Sequence, residues 1–204
     1  MWVRVPPPAP AKVALRYNMA WLIVLMGYLL GSIPTAYIAG HLLKSKDIRQ
    51  MGDSNVGARN AFHQLGHKTG LAVFFIDAGK GVLAITIAQA VNISQLWVLL
   101  VGIAAVSGHN WPVFLGFKGG RGESTTIGVL LTLITQPMLI LAIPTLATLA
   151  IKKNVLLASC VLFIPLPLVC WWLGMPGLLT TYGITLPCLI GFTHFLRTRQ
   201  VARA

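Results

Sequence analysis

The chain has 204 residues, of which 56% are hydrophobic and only 10% charged, with a formal net charge of +12 and a mean hydropathy of +0.77. That balance is too apolar for an ordinary soluble domain and too poor in charge for a disordered one. At roughly 20 apolar residues per bilayer crossing, it leaves room for several spans and for no separate soluble domain.

The chain opens on a lead, 1–18, in which Pro6, Pro7, Pro8 and Pro10 favour an extended backbone. The first apolar run, 19–43, is longer than the core of a signal peptide and shows no small-x-small cleavage site, so it is expected to stay in the membrane. Further apolar runs follow at 69–93, 96–116, 124–136, 138–151, 154–173 and 178–196. All are expected to be helical, because lipid leaves a spanning backbone no other open option. The expectation is an all-α polytopic bundle of seven transmembrane helices in one membrane domain, 19–197, followed by a short basic tail, 198–204. The fourth and fifth runs divide at Gln136-Pro137; the alternative is one helix kinked at Pro144.

Orientation follows from lysine and arginine. Lys44, Lys46, Arg49, Arg59 and Lys68 fall in the first connection, Lys118 and Arg121 in the third, Lys152 and Lys153 in the fifth, and Arg197, Arg199 and Arg203 after the last span. The connections near Asn92, Pro137 and Met175 carry neither residue type. The odd-numbered loops and the C-terminus are therefore expected in the cytoplasm and the N-terminus outside, although Arg4, Lys12 and Arg16 run against the rule. Cations set between apolar runs also argue against a nucleic-acid partner. Cys160, Cys170 and Cys188 lie within late apolar segments without metal-ligand spacing and read as small core residues. His41, His63 and His67 show no metal spacing either. Trp97 and the Trp171-Trp172 pair read as anchors at the membrane interface.

Two polar loops stand out. The first, Asp47 to Asn60, combines glycines, asparagines and arginines; glycine lets backbone N–H groups close on an oxyanion, and arginine adds bidentate hydrogen bonds. A solvated basic turn accounts for it equally well. The second, Phe117-Lys118-Gly119-Gly120-Arg121-Gly122-Glu123-Ser124-Thr125, opens onto the next apolar run, and a helix N-terminus attracts anions. It lacks the GxxxxGK[ST] spacing of a nucleotide-binding P-loop, which excludes that class and leaves a phosphorylated substrate without a nucleotide. The bland reading is a basic hairpin against lipid headgroups. Asp77 and Lys80 stand one turn apart within the second run, placed to neutralise each other, either as a structural pair or as the wall of a polar site. His109 and His194, at helix ends, read as hydrogen-bonding core residues or as groups of such a site.

Gly31-Ser32-Ile33-Pro34, Asp47-Ile48-Arg49, Asn55-x-Gly57-Ala58-x-Asn60, Asp77-x-x-Lys80-Gly81, Gly108-His109-x-x-Pro112 and Phe117-Lys118-Gly119-Gly120-x-Gly122 occur in that order between Gly31 and Gly128. Together they resemble the bacterial acyl-phosphate:glycerol-3-phosphate acyltransferase family of the inner membrane. The resemblance implies acyl transfer from acyl phosphate to the sn-1 hydroxyl of glycerol 3-phosphate, with membrane lipid as surroundings and no cofactor or metal; oligomeric state stays open. It implies that Lys118, Gly119, Gly120, Arg121 and Gly122 hold acyl phosphate, with Ser124 and Thr125 following, that Arg49, Asn55 and Asn60 bind glycerol phosphate, and that Asp53, Ser54, Gly57, Arg59 and Ser159 are further substrate-binding positions. His109, Arg121 and His194 would be catalytic, Ser159 would match a family serine, and Ser32, Asp77 and Lys80 would support the site.

This chain also departs from the family pattern. Asp53 stands at a serine position, Arg59 at a threonine, His63 at an arginine, Arg121 at a lysine, Glu123 at a valine and Leu156 at a serine, and the His-x-Glu-Asn pattern becomes His194-Phe195-Leu196-Arg197. Asp53 with Arg59 and Glu123 with Arg121 are expected to compensate each other in pairs. The leading reading is a divergent acyltransferase of phospholipid synthesis; the alternatives are a paralogue of the same fold with altered or lost catalysis and a small-anion transporter.

Overall fold

A computed structural model describes the backbone of residues 10–201 and the side chains of residues 19–196. The described residues form helices joined by short turns, with no strand. In chain order they are α1 (Pro10–Ser32), α2 (Thr35–Lys44), α3 (Ala58–Gln64), α4 (His67–Ala90), α5 (Gln95–Asn110), α6 (Glu123–Leu133), α7 (Thr135–Lys152), α8 (Val155–Phe163), α9 (Leu166–Trp172) and α10 (Gly177–Val201). Among the described residues, six segments are long and apolar enough to cross a bilayer: Met19–Lys44, His67–Ala90, Gln95–Leu115, Thr135–Lys152, Val155–Trp172 and Gly177–Leu196.

Three boundaries differ from the sequence expectation. The first apolar run is two helices, because Pro34 offers no N–H and bars the helical conformation to Ile33 before it. At the break the carbonyl of Ile33 accepts from the Thr35 N–H at 3.1 Å and from Lys80 Nζ at 2.6 Å. The sixth run likewise breaks before Pro165, between α8 and α9. The division expected at Gln136-Pro137 falls earlier, at Ile134 (φ −132°, ψ 57°); Pro137 then sits in the first turn of α7, where its missing N–H costs no helical bond. Pro144 lies inside α7. Outside those segments lie the short α3 and α6, of which α6 has 11 residues and at 1.5 Å per residue measures only about 16 Å. It is an interior helix, with Ser124, Thr125, Thr126, Gly128, Val129 and Leu130 all buried.

Lipid tails are as apolar as leucine, so membrane helices associate where small residues let backbones meet. A Cβ added to Gly31 or Gly108 would overlap the carbonyl oxygen of Ala105 or Tyr28, which places α1 directly on α5. Gly81 and Gly128 do the same for α4 and α6, against the carbonyls of Thr125 and Ala78. Around these contacts Ile85, Val101, Leu130, Ile134, Leu166 and Leu186 fill the middle of the bundle. Tyr182 ties α10 to α5 by donating to the carbonyl of Leu99, at 2.8 Å. Leu42, Ile143, Ile151, Ile164, Trp171 and Trp172 are more than 70% exposed and face outward, whereas Trp97 packs edge-on against Trp21. A smaller cluster of Ile48, Val56, Ala61, Val73 and Leu115 lies beneath the polar loops.

The Gly128→Ala variant should lose about 1–3 kcal/mol, the usual result of overpacking, because its new methyl group meets backbone and not a flexible side chain. Gly79→Ala, at a position with open space around it, should leave stability unchanged or slightly raised. Thermal unfolding in detergent compares the two, and equal midpoints would refute the packing argument.

Candidate active site

The first polar loop is anchored at both ends. Asp47 caps the turn Ile48–Gln50 by accepting the N–H of Arg49 at 2.9 Å. Its carboxylate also takes hydrogen bonds from Arg49 Nε (2.9 Å) and Nη2 (2.7 Å). The guanidinium holds this carboxyl below the usual carboxylate range. Arg49 also lies over the ring of Tyr37, 5.1 Å from its centroid, and reaches the Leu115 carbonyl at 3.5 Å. Asp47, quoted in a motif but given no role from sequence, is thus what orients Arg49.

Asn60 closes the same loop from beneath. It is 3% exposed, and its amide nitrogen stands within hydrogen-bond reach of the carbonyls of Met51 (2.9 Å), Asn55 (3.0 Å) and Ile48 (3.2 Å). This is the geometry of a loop organiser. Asp53 accepts the N–H of Asn55 at 3.2 Å, and Ser54 takes the left-handed conformation with φ 58°. Gly57 is the extended residue before α3.

The glycine loop folds back onto the end of α5. The N–H groups of Gly119 and Gly120 donate to the carbonyls of Asn110 (3.3 Å) and His109 (2.9 Å), satisfying acceptors that a helix C-terminus leaves open. Two amides expected to face an oxyanion are therefore committed to the scaffold. Gly120 has no alternative, since a Cβ there would overlap His109 Nε2. On the other edge of that ring, Nδ1 is 3.8 Å from Asp77, and Asp77 pairs with Lys80 at 2.6 Å. All three side chains are buried. His109, Asp77 and Lys80 consequently form a polar support behind the loop.

Beyond Gly120 the chain places the half-buried Arg121, whose carbonyl accepts from Thr193 Oγ1 of α10 at 3.2 Å. Gly122 (φ 83°) then turns the backbone into α6. The charge pairing differs from the sequence expectation. Asp53 joins Arg121, with Oδ2 and Nη1 3.2 Å apart, and Glu123 accepts a hydrogen bond from Ser159 Oγ of α8. The loops cross over each other, so partners are chosen by the fold and not by nearness in sequence.

Two cavities flank Arg121. The larger, about 810 Å³, is lined by Asp47, Arg49, Gln50, Asp53, Ser54, Asn55, Trp111, Gly116, Phe117, Lys118, Arg121, Thr193 and Leu196. The smaller, about 330 Å³, is lined by Gly52, Asp53, Arg59, Asn60, His63, Gln64, Arg121 and His194. The cations of both loops thus meet at one end of the bundle. Ser32, Gly57, His109, Gly119, Gly120, Gly122, Ser124, Thr125 and Ser159 line neither cavity. Ser32 donates to the Tyr28 carbonyl within its own helix, and Thr125 is buried where α6 meets α4. Tyr37, Gln64 and Thr193 carried no sequence signal that would single them out, because each lies on a helix whose packing alone brings it to the site.

Asn60→Asp keeps the shape of the side chain but puts an acceptor against three carbonyl oxygens. It should cost about 2 kcal/mol or more of stability, against less for Asn60→Ala. Thermal midpoints in detergent decide, and an aspartate variant as stable as the native chain would contradict the donor role.

A family model for glycerol-3-phosphate acyltransferase matches residues 21–203. Glycerol-3-phosphate acyltransferase 4 of Dehalococcoides mccartyi is 52% identical over 182 residues, covering 89% of this chain and 98% of that protein. Glycerol-3-phosphate acyltransferase 1 of the same organism is 40% identical over 186 residues, covering 88% of this chain and 89% of its own. Among solved structures, the glycerol 3-phosphate form of PlsY (YgiH), an integral membrane glycerol 3-phosphate acyltransferase, superposes with a TM-score of 0.80 at 34% identity, over 91% of this chain and 92% of that one. Its lysophosphatidic acid form gives a TM-score of 0.75 at 32% identity over the same shares. With most of its length matched in sequence and in structure, this multi-pass membrane chain belongs to the glycerol-3-phosphate acyltransferase family.

Proposed function

We propose that the chain transfers a fatty acyl group from acyl phosphate to the sn-1 hydroxyl of glycerol 3-phosphate, giving lysophosphatidic acid and inorganic phosphate at the cytoplasmic face of a bacterial inner membrane. The observation that carries this reading is the larger cavity, where Arg49, Lys118 and Arg121 converge beside Trp111, Phe117 and Leu196. Its cationic lining suits phosphate and its apolar lining an acyl chain. Arg49, Ser54 and Asn55 hold glycerol 3-phosphate, in a loop that Asn60 and Gly57 shape. Lys118 and Arg121, both lining the larger cavity, hold the acyl phosphate.

The hydroxyl oxygen bonds to the acyl carbon, the bond from that carbon to the phosphate oxygen breaks, and the hydroxyl proton leaves on the released phosphate. Acyl phosphate is already activated, so the protein contributes alignment and stabilisation of charge on the leaving group. Arg121 supplies that stabilisation and His194 a further polar group in the adjoining cavity. His109, with Asp77 and Lys80 behind it, holds Gly120 and so the loop. Ser124 and Thr125 seat α6, and Ser159 secures Glu123. No step calls for a cofactor.

The same reading assigns seven crossings within a single domain over 19–197, with an external N-terminus and a cytoplasmic C-terminus. Asp53 of the first loop, Arg121 of the third, Ser159 in the first half of the Val155–Trp172 segment and Thr193 in the last third of α10 meet at one end of the bundle. That convergence supports α6 running away from this end and α7 returning. As an interior helix, α6 need not match the bilayer on its own.

Purified in detergent and given palmitoyl phosphate, the chain should release phosphate only when glycerol 3-phosphate is present, and Arg121→Ala should lose roughly 100-fold or more of that rate. Release independent of glycerol 3-phosphate, or anion uptake into vesicles without acyl transfer, would overturn the assignment. A cysteine introduced at Phe117 should react with an impermeant thiol reagent only from the cytoplasmic side; labelling from outside would reverse the topology.

A further inference from the structure

Asp53 stands in the wall that separates the two cavities, and Arg121 is the other charged residue of that wall. The carboxylate is itself held in place. One oxygen accepts the Asn55 N–H at 3.2 Å, while the other meets Arg121 Nη1 at 3.2 Å. Arg121 is tethered again through its carbonyl, by Thr193. Its buried Nε finds no acceptor among the described residues. A guanidinium is a planar fork whose donors point in fixed directions, so a partner that commits one nitrogen sets the plane of the remainder.

We propose that Asp53 is the positioning residue for Arg121, setting the angle at which the guanidinium meets the phosphate group in the larger cavity. The identity of that phosphate as acyl phosphate rests on the function proposed above. The position of Asp53 makes two effects separable. A carboxylate on the cavity wall repels a phosphate dianion, so removing its charge strengthens ground-state binding. Removing its grip lets Arg121 follow the phosphate off axis, which lowers the rate, because small misplacements near a reacting centre are amplified strongly. Binding and turnover therefore move in opposite directions, and a purely structural role would not divide them.

The test uses the full chain in detergent, with Asp53→Asn, Asp53→Glu, Arg121→Lys and the Asp53→Asn/Arg121→Lys pair. Titration calorimetry gives the affinity for inorganic phosphate, and the palmitoyl phosphate assay gives kcat and KM. Asp53→Asn should bind phosphate about 3–10-fold tighter and lose about tenfold in kcat. Asp53→Glu should recover part of kcat. The double variant should be no slower than Arg121→Lys alone, since a pair acting as a unit is non-additive. Unchanged binding and kcat in Asp53→Asn, weaker phosphate binding with a lowered thermal midpoint, or additive losses in the double variant would each overturn the proposal. Asp53→Ser replaces Asp53→Asn in every comparison if the latter does not fold. Should the native chain bind phosphate without transferring acyl groups, the proposed function fails. The calorimetric cycle then decides the pair alone: the charge effect of Asp53→Asn on phosphate affinity persists with lysine at 121, so a coupling term between the two substitutions beyond that effect upholds the pairing, and strict additivity refutes it.

Discussion

Apolar side chains gain little by leaving lipid for one another, so this bundle is fixed where backbones touch. Gly31 and Gly108 bring α1 and α5 together, and Gly81 and Gly128 bring α4 and α6 together. These contacts decide where the end of α5 and the start of α6 stand, and the glycine loop is what connects those two points. Even the loop's inner conformation follows from the same economy of volume, since Gly120 passes against the ring of His109. Steric permission at a few positions thus places the cations more firmly than any attraction between them.

The charged groups divide by depth. Asp77 and Lys80, at 1% and 6% side-chain exposure, neutralise each other and serve the backbone; Lys80 does so by donating to the Ile33 carbonyl at the break between α1 and α2. Breaking such a buried pair strands a charge, whereas the partly exposed pairs nearer the loops are individually worth less. The outer pairs, Asp47 with Arg49 and Asp53 with Arg121, therefore matter chiefly as orienting devices. Each sets one fork-shaped cation at the rim of the larger cavity, and the two forks come from different loops.

Much of this was legible in the residues. Apolar runs separated by basic turns announced a polytopic helical bundle, and ordered motifs on the polar loops announced the family. The breaks at Ile33 and Ile134 were not legible, because hydropathy is continuous across the first and the second falls two residues before the visible Gln136-Pro137 signal. The uses of Asn60, Gly119 and Gly120 were hidden as well. A polar loop residue in sequence is equally suited to hold a ligand or to hold the loop, and only the carbonyls of Met51, Asn55, His109 and Asn110 standing beside these donors decide between the two. The same limit explains the mistaken charge pairs, since Asp53 and Arg121 are distant in sequence and joined only by the packing of two loops.

The crossed pairing bears on how a site can change its residues and keep its chemistry. Arginine at position 121 brings a charge with direction, whereas lysine brings a nearly isotropic one, so the exchange alone would leave an ill-aimed cation. Asp53 supplies an aim from the opposite loop. Glu123 is drawn aside by Ser159, which leaves the carboxylate closest in sequence to Arg121 occupied elsewhere. Two added anions could have quenched the site by forming local pairs with the two arginines. Because the fold separates them, one orients a cation and the other is tied to α8, and the larger cavity retains Arg49, Lys118 and Arg121 facing a common space.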